Sequence, residues 1–64
     1  MKLNGKEIKN KNIKTLMDII VLYNYDIKNI AILVNDHVVK KKQWKSYRLS
    51  ENDEIEIIGF VGGG

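Results

Sequence analysis

The chain has no cysteine and a single histidine. That absence excludes a disulfide staple, a thiol nucleophile and every thiolate metal ligand, and one histidine cannot complete a structural zinc site. No apolar run approaches the roughly 20 residues needed to cross a bilayer. The start, Met1-Lys2-Leu3-Asn4-Gly5, turns polar too soon for a secretory signal, so the reading is cytoplasmic with no membrane partner. No nucleophile–base pair, metal constellation or phosphate-cradling glycine loop is visible. The 64 residues are expected to form one domain near the lower limit for folding without a cross-link. Stability then falls to a core of Ile, Leu and Val, and an independent catalyst is not what this composition builds.

The formal net charge is +3, unevenly spread. Lysines crowd the first fourteen residues and 40–45, while Glu51, Asp53, Glu54 and Glu56 gather near the end. Lys40-Lys41-Lys42 with Lys45 and Arg48 is the one candidate patch for nucleic-acid phosphates. Neighbouring acids dilute it and no aromatic platform interleaves with it, so it reads as a solvated face with no nucleic-acid partner.

Met1–Leu3 reads as a strand entering an Asn4-Gly5 hairpin turn, with Lys6–Lys9 returning. Thr15 and Asp18 have capping-box spacing, with Asp in place of the usual Glu, and mark a helix start. Leu16, Ile19, Ile20 and Tyr23 recur at helical spacing, with Met17, Val21 and Leu22 widening the stripe, so the helix is expected to lie on a sheet. Asn24 suits a left-handed stop. Ile30–Val34 is a strand with Ile30, Ile32 and Val34 inward and Leu33 outward. Asn35-Asp36 turns it into a short strand, His37–Val39. A helical turn is expected across Lys42–Ser46, with Trp44 as a lid whose N–H stays near water. His37 reads as a surface strand residue, and Tyr23, Tyr25 and Tyr47 as packing. After the turn Ser50-Glu51-Asn52-Asp53, the run Glu54–Val61 puts Ile55 and Ile57 inward and Glu54 and Glu56 outward.

The order β-β-α-β-β-β implies an α+β domain: a mixed sheet of four to five strands with one helix across one face, the ubiquitin-like β-grasp arrangement. The connection through the helix requires the first and third strands, or their neighbours, to run parallel. Residues 1–61 are read as the domain and 62–64 as a flexible glycine tail. Gly62-Gly63-Gly64 lacks Cβ atoms and fits a channel where any side chain would clash. The terminal carboxylate of Gly64 is then the most usable reactive group. Leu33, Ile58 and Phe60 are the candidates for docking a partner, since alternation sets them opposite the helix and near the tail, and Val61, next to the tail, is counted with them.

The stretch Val34-Asn35-Asp36-His37-Val38-Val39, followed by Gln43-Trp44, Arg48-Leu49, Asn52-Asp53-Glu54-Ile55-Glu56-Ile57 and Phe60-Val61-Gly62-Gly63-Gly64, resembles the sulfur-carrier proteins of thiamine biosynthesis, the ThiS family. The likeness covers nearly the whole chain, and Thr15-Leu16 fits it too. Two departures stand out. Asp36 replaces a usual glycine, and Lys40 stands where the family often has proline. Asp tolerates the left-handed region better than most residues, and neither change touches the tail.

The resemblance implies that Gly64 is adenylated by a ThiF-like partner using ATP. A persulfide donor then displaces AMP to leave a thiocarboxylate, which a ThiG-like thiazole synthase consumes. An α-carboxylate with a pKa near ~3.5 is an anion at neutral pH and a poor electrophile, so activation is chemically required. No cofactor would be held permanently, and a monomer forming transient hetero-complexes is expected. The same tail chemistry also serves molybdopterin synthesis and tRNA thiolation. A protein modifier joined through Gly64, or an RNA-binding β-grasp module, are the alternatives of other classes.

Overall fold

Asn4 and Gly5 hold φ of 50° and 84°, the two left-handed conformations of a type I′ turn. This hairpin opens the computed structural model, which describes residues 1–9 and 11–59. It pairs β1 (Lys2–Leu3) antiparallel with β2 (Lys6–Glu7), Lys2 opposite Glu7. Both strands are shorter than expected, although the Ile8 N–H still donates to the Met1 carbonyl at 2.9 Å.

Helix α1 (Leu16–Leu22) begins with the expected capping box. Thr15 Oγ1 accepts the Asp18 N–H at 3.3 Å, and Asp18 Oδ2 accepts the Thr15 N–H at 2.9 Å. The next orphan donors of the first turn find distant partners. Leu16 N–H donates to the Tyr47 carbonyl at 3.2 Å, and Met17 N–H to the Trp44 carbonyl at 3.1 Å. The helix start is thus tied to the segment that follows the fourth strand. At the other end Asn24 takes φ 56°. The Tyr25 N–H reaches the Ile20 carbonyl at 3.0 Å and the Asn24 N–H the Val21 carbonyl at 3.2 Å, a Schellman closure with Asn in the glycine position.

Leu16, Ile19 and Ile20 are buried, as their spacing requires. Met17 is half-buried against the core, but Val21 is 72% exposed, and Leu22 and Tyr23 are also exposed. The helix spans seven residues, so it presents only about two turns to the sheet. Tyr23, at the C-cap with φ −96°, has already left the helical path.

β3 (Ile30–Val34) and β4 (His37–Val39) flank Asn35 and Asp36, whose φ of 51° and 68° make a second left-handed pair. Asp36 thus holds the left-handed conformation expected of it at this turn. β5 (Glu54–Gly59) completes a five-stranded sheet in the order β2-β1-β5-β3-β4. The parallel pair is β1 with β5, the neighbour of the third strand, which falls within the expectation for the first and third strands or their neighbours. β3 is antiparallel to β5 and so runs against β1. β2 and β3, which the helix joins, share a direction with two strands between them.

On the inner face Leu3, Ile32, Val34, Val39, Ile55 and Ile57 meet Leu16, Ile19 and Ile20. Each fully buried aliphatic side chain contributes roughly 1.5–3 kcal/mol. Trp44 belongs to this core at 2% exposure, and its Nε1–H donates to the Val39 carbonyl at 2.8 Å. The indole N–H therefore meets a protein acceptor and not water, because the 3-10 turn Lys41–Gln43 folds the ring back over the strand it has just left. That turn starts one residue earlier than the spacing suggested. Tyr25 and Tyr47 pack on the core as expected, and His37 is exposed.

Candidate functional site

β5 is the central strand and carries the chain toward its last residues. Phe60, Val61, Gly62, Gly63 and Gly64, and with them the expected domain boundary after 61, lie outside the described residues. The site is therefore built from what surrounds the described end of β5.

Period-2 alternation turns Glu54, Glu56 and Ile58 away from the helix. On that outer face Ile58 lies opposite Ala31, and Leu33 lies between Glu56 on β5 and Val38 on β4. Ile58 is 48% exposed and Val38 71% exposed, while Leu33, flanked on both sides, is half-buried. Leu33 and Ile58, singled out from the sequence, are thus diagonal neighbours on one face. Val38 was not among the sequence candidates, yet the signal was present. A two-residue turn at Asn35-Asp36 sets Val38 directly opposite Leu33. The patch ends in charge: Glu7, Lys2 and Glu54 line up across β2, β1 and β5 at the other end of the outer face.

The described residues hold no group of three or more His, Asp or Glu side chains suited to a metal, and no buried polar or charged side chain. Two carboxylates are held below their ordinary range, and both are caps. Asp18 is lowered by the N–H groups of Lys14 and Thr15, the former at 2.8 Å. Asp26 is lowered first by the Asn29 side-chain amide and then by the Lys28 N–H. Both shifts come chiefly from hydrogen bonds at the caps. Lys40, Lys41, Lys42, Lys45 and Arg48 are exposed.

Among the described residues, then, the arrangement is an exposed apolar patch on the outer sheet face with a strand end beside it. The model of the ThiS family matches residues 1–64. The sulfur carrier protein ThiS of Bacillus subtilis (strain 168) is 34% identical over 65 residues, covering 100% of this chain and 98% of that protein. The uncharacterized protein ycf40 of Trieres chinensis is 32% identical over 62 residues, covering 97% and 85%. The crystal structure of thiamine biosynthesis protein ThiS from Geobacter metallireducens superposes with a TM-score of 0.79 over 98% of this chain and 96% of that one, at 18% identity; it shares the fold. Family model, full-length relative and β-grasp architecture converge: the chain belongs to the ThiS family of sulfur carriers.

Proposed function

We propose that this chain carries sulfur for thiazole formation as a thiocarboxylate on Gly64, acting as co-substrate of partner enzymes and not as the catalyst. The observation that carries the reading is that the family match runs through residue 64, and so includes Gly62-Gly63-Gly64.

The chemistry proceeds in balanced steps. A carboxylate oxygen of Gly64 attacks the α-phosphorus of ATP on a ThiF-like enzyme, and pyrophosphate leaves. The terminal sulfur of a persulfide donor attacks the activated carbonyl carbon and AMP departs, forming an acyl disulfide. A thiol reduces that disulfide and frees the thiocarboxylate, which a ThiG-like thiazole synthase consumes. Ala31, Leu33, Val38 and Ile58 supply the apolar area that holds a partner while the last residues reach its active site. Phe60 and Val61 extend this surface along the chain, and Gly62 and Gly63 thread the channel. Fixing three glycines in a channel costs about 1–2 kcal/mol each, which the docking face must offset.

The test uses the absence of cysteine. The chain is incubated with ATP, an adenylating enzyme of this family and a persulfide donor, then treated with a thiol-alkylating reagent and fragmented in a mass spectrometer. One alkyl group on Gly64 can arise only from a thiocarboxylate. An unlabelled Gly64, beside a labelled control carrier in the same mixture, sinks the reading. Higher-mass adducts through target lysines would favour a protein modifier instead.

A further inference from the structure

β5 outlasts its neighbour on one side. β1 ends at Leu3, opposite Ile55, whereas β5 continues to Gly59. The hydrogen-bond pattern shows which groups this leaves open. The Asn35 N–H donates to the Glu54 carbonyl on the β3 side, and the Asn4 N–H to the Ile55 carbonyl on the β1 side. By strict alternation Glu56 and Ile58 bond toward β3, while Ile57 and Gly59 point their N–H and C=O groups toward the side that β1 has left. The Ile57 N–H is taken by the Asn4 side chain, Oδ1 at 2.8 Å. Among the described residues nothing takes the Ile57 carbonyl or the Gly59 N–H. Gly59 is exposed, and a Cβ built there would meet nothing within 4 Å.

We propose that this vacated edge receives an extended segment of the enzyme that activates Gly64, adding one strand to the sheet through the Gly59 N–H and the Ile57 carbonyl. The inference rests on the carrier reading above. The occupant follows from reach: five residues follow Gly59, and fully extended they span at most about 18 Å. The active site of an enzyme that acts on the Gly64 carboxylate must therefore lie within that distance of Gly59, which keeps this edge within its reach. Exposed Ile58 on the adjoining outer face offers the same enzyme an apolar anchor. Backbone pairing supplies affinity and alternate side-chain pockets supply choice, as in other strand-addition complexes. Asn4 limits the vacancy by occupying the Ile57 N–H, so among the described residues the open groups form one donor–acceptor pair and not a long aggregation-prone edge.

The full chain is short enough to synthesise with N-methylglycine at position 59. That change removes the donor and crowds the vacant edge, but leaves the pairing with β3, which Gly59 N–H does not face. Affinity for a ThiF-like adenylating enzyme, read as KM in ATP–pyrophosphate exchange, is expected to weaken about tenfold. Val21→Asp, exposed on the helix and outside this edge, is expected to stay within twofold. Amide exchange of the unmodified chain supplies a second readout that needs no variant: Gly59 should slow at least tenfold when the enzyme is added. Equal KM for the N-methyl and unmodified chains, or unchanged Gly59 exchange in the complex, overturns this proposal while leaving the carrier reading intact. No exchange activity with the unmodified chain overturns both. Protection of Gly59 that rises with carrier concentration alone assigns the edge to a second copy and overturns the proposed occupant.

Discussion

Asn4 and Ile57, fifty-three residues apart in the chain, are joined by one hydrogen bond: Asn4 Oδ1 accepts the Ile57 backbone N–H at 2.8 Å. The first turn therefore holds the last strand beyond the point where β1 stops. The same residue sits at φ 50°, so it serves as turn and as clamp.

Those two roles separate by mutation. Asn4→Gly keeps the turn and loses the clamp, whereas Asn4→Ala loses both. Asn4→Gly should destabilise the fold by about 1 kcal/mol, and Asn4→Ala by about 1–2 kcal/mol more for the left-handed φ. Urea denaturation measures both. The Ile57 amide should exchange faster in each variant; unchanged exchange would assign the clamp no energetic role.

Trp44 gives a second prediction. Its ring is 2% exposed and its N–H is bonded to Val39. Trp44→Phe should cost about 1–3 kcal/mol for the lost donor, and Trp44→Ala about 3–5 kcal/mol for the cavity. As the chain's single tryptophan, it should emit at short wavelength when folded and shift to the red on denaturation. Solvent-like emission from the folded protein would contradict its placement.

Acid sensitivity follows from Asp18. Its carboxyl is lowered from 3.8 by the Lys14 and Thr15 N–H groups, so its folded value lies below its unfolded one. The stabilisation is complete above the unfolded pKa, and is lost as pH falls from there through the lower folded value. Asp26, lowered by Asn29 and Lys28, acts in the same direction. Melting temperature should therefore drop on acidification below about pH 4. Asp18→Asn should be less stable at neutral pH and show a shallower acid slope; parallel slopes would rule the cap out as the cause.

The docking face can be tested against an equally exposed control. Ile58→Asp and Val38→Asp should each raise the carrier's KM for adenylation by tenfold or more, from an apolar contribution of about 1.5–3 kcal/mol. Val21→Asp, 72% exposed on the helix, should leave KM within about twofold, and all three should stay folded because none lies in the core. Equal effects from Val21 and Ile58 would place the partner elsewhere.

What the sequence determined by itself was whatever acts over a few residues. Asn4-Gly5 and Asn35-Asp36 declare left-handed turns because few other residues tolerate those angles, and Thr15 with Asp18 declares a cap because three-residue spacing closes it. Alternation assigned Ile32, Val34, Ile55 and Ile57 to the core, and set Leu33 and Ile58 outward, because a pleated strand repeats every two residues. The apolar content of 16–23 misled where the helix proved to be only seven residues long, so that Val21, Leu22 and Tyr23 pass into solvent. Tertiary structure alone decided that β5 runs parallel to β1 and antiparallel to β3, that the indole of Trp44 finds the Val39 carbonyl, and that Asn4 clamps Ile57. Each of these depends on which distant backbone comes alongside, and that choice is made by burying the common core of helix and sheet, not by any local preference.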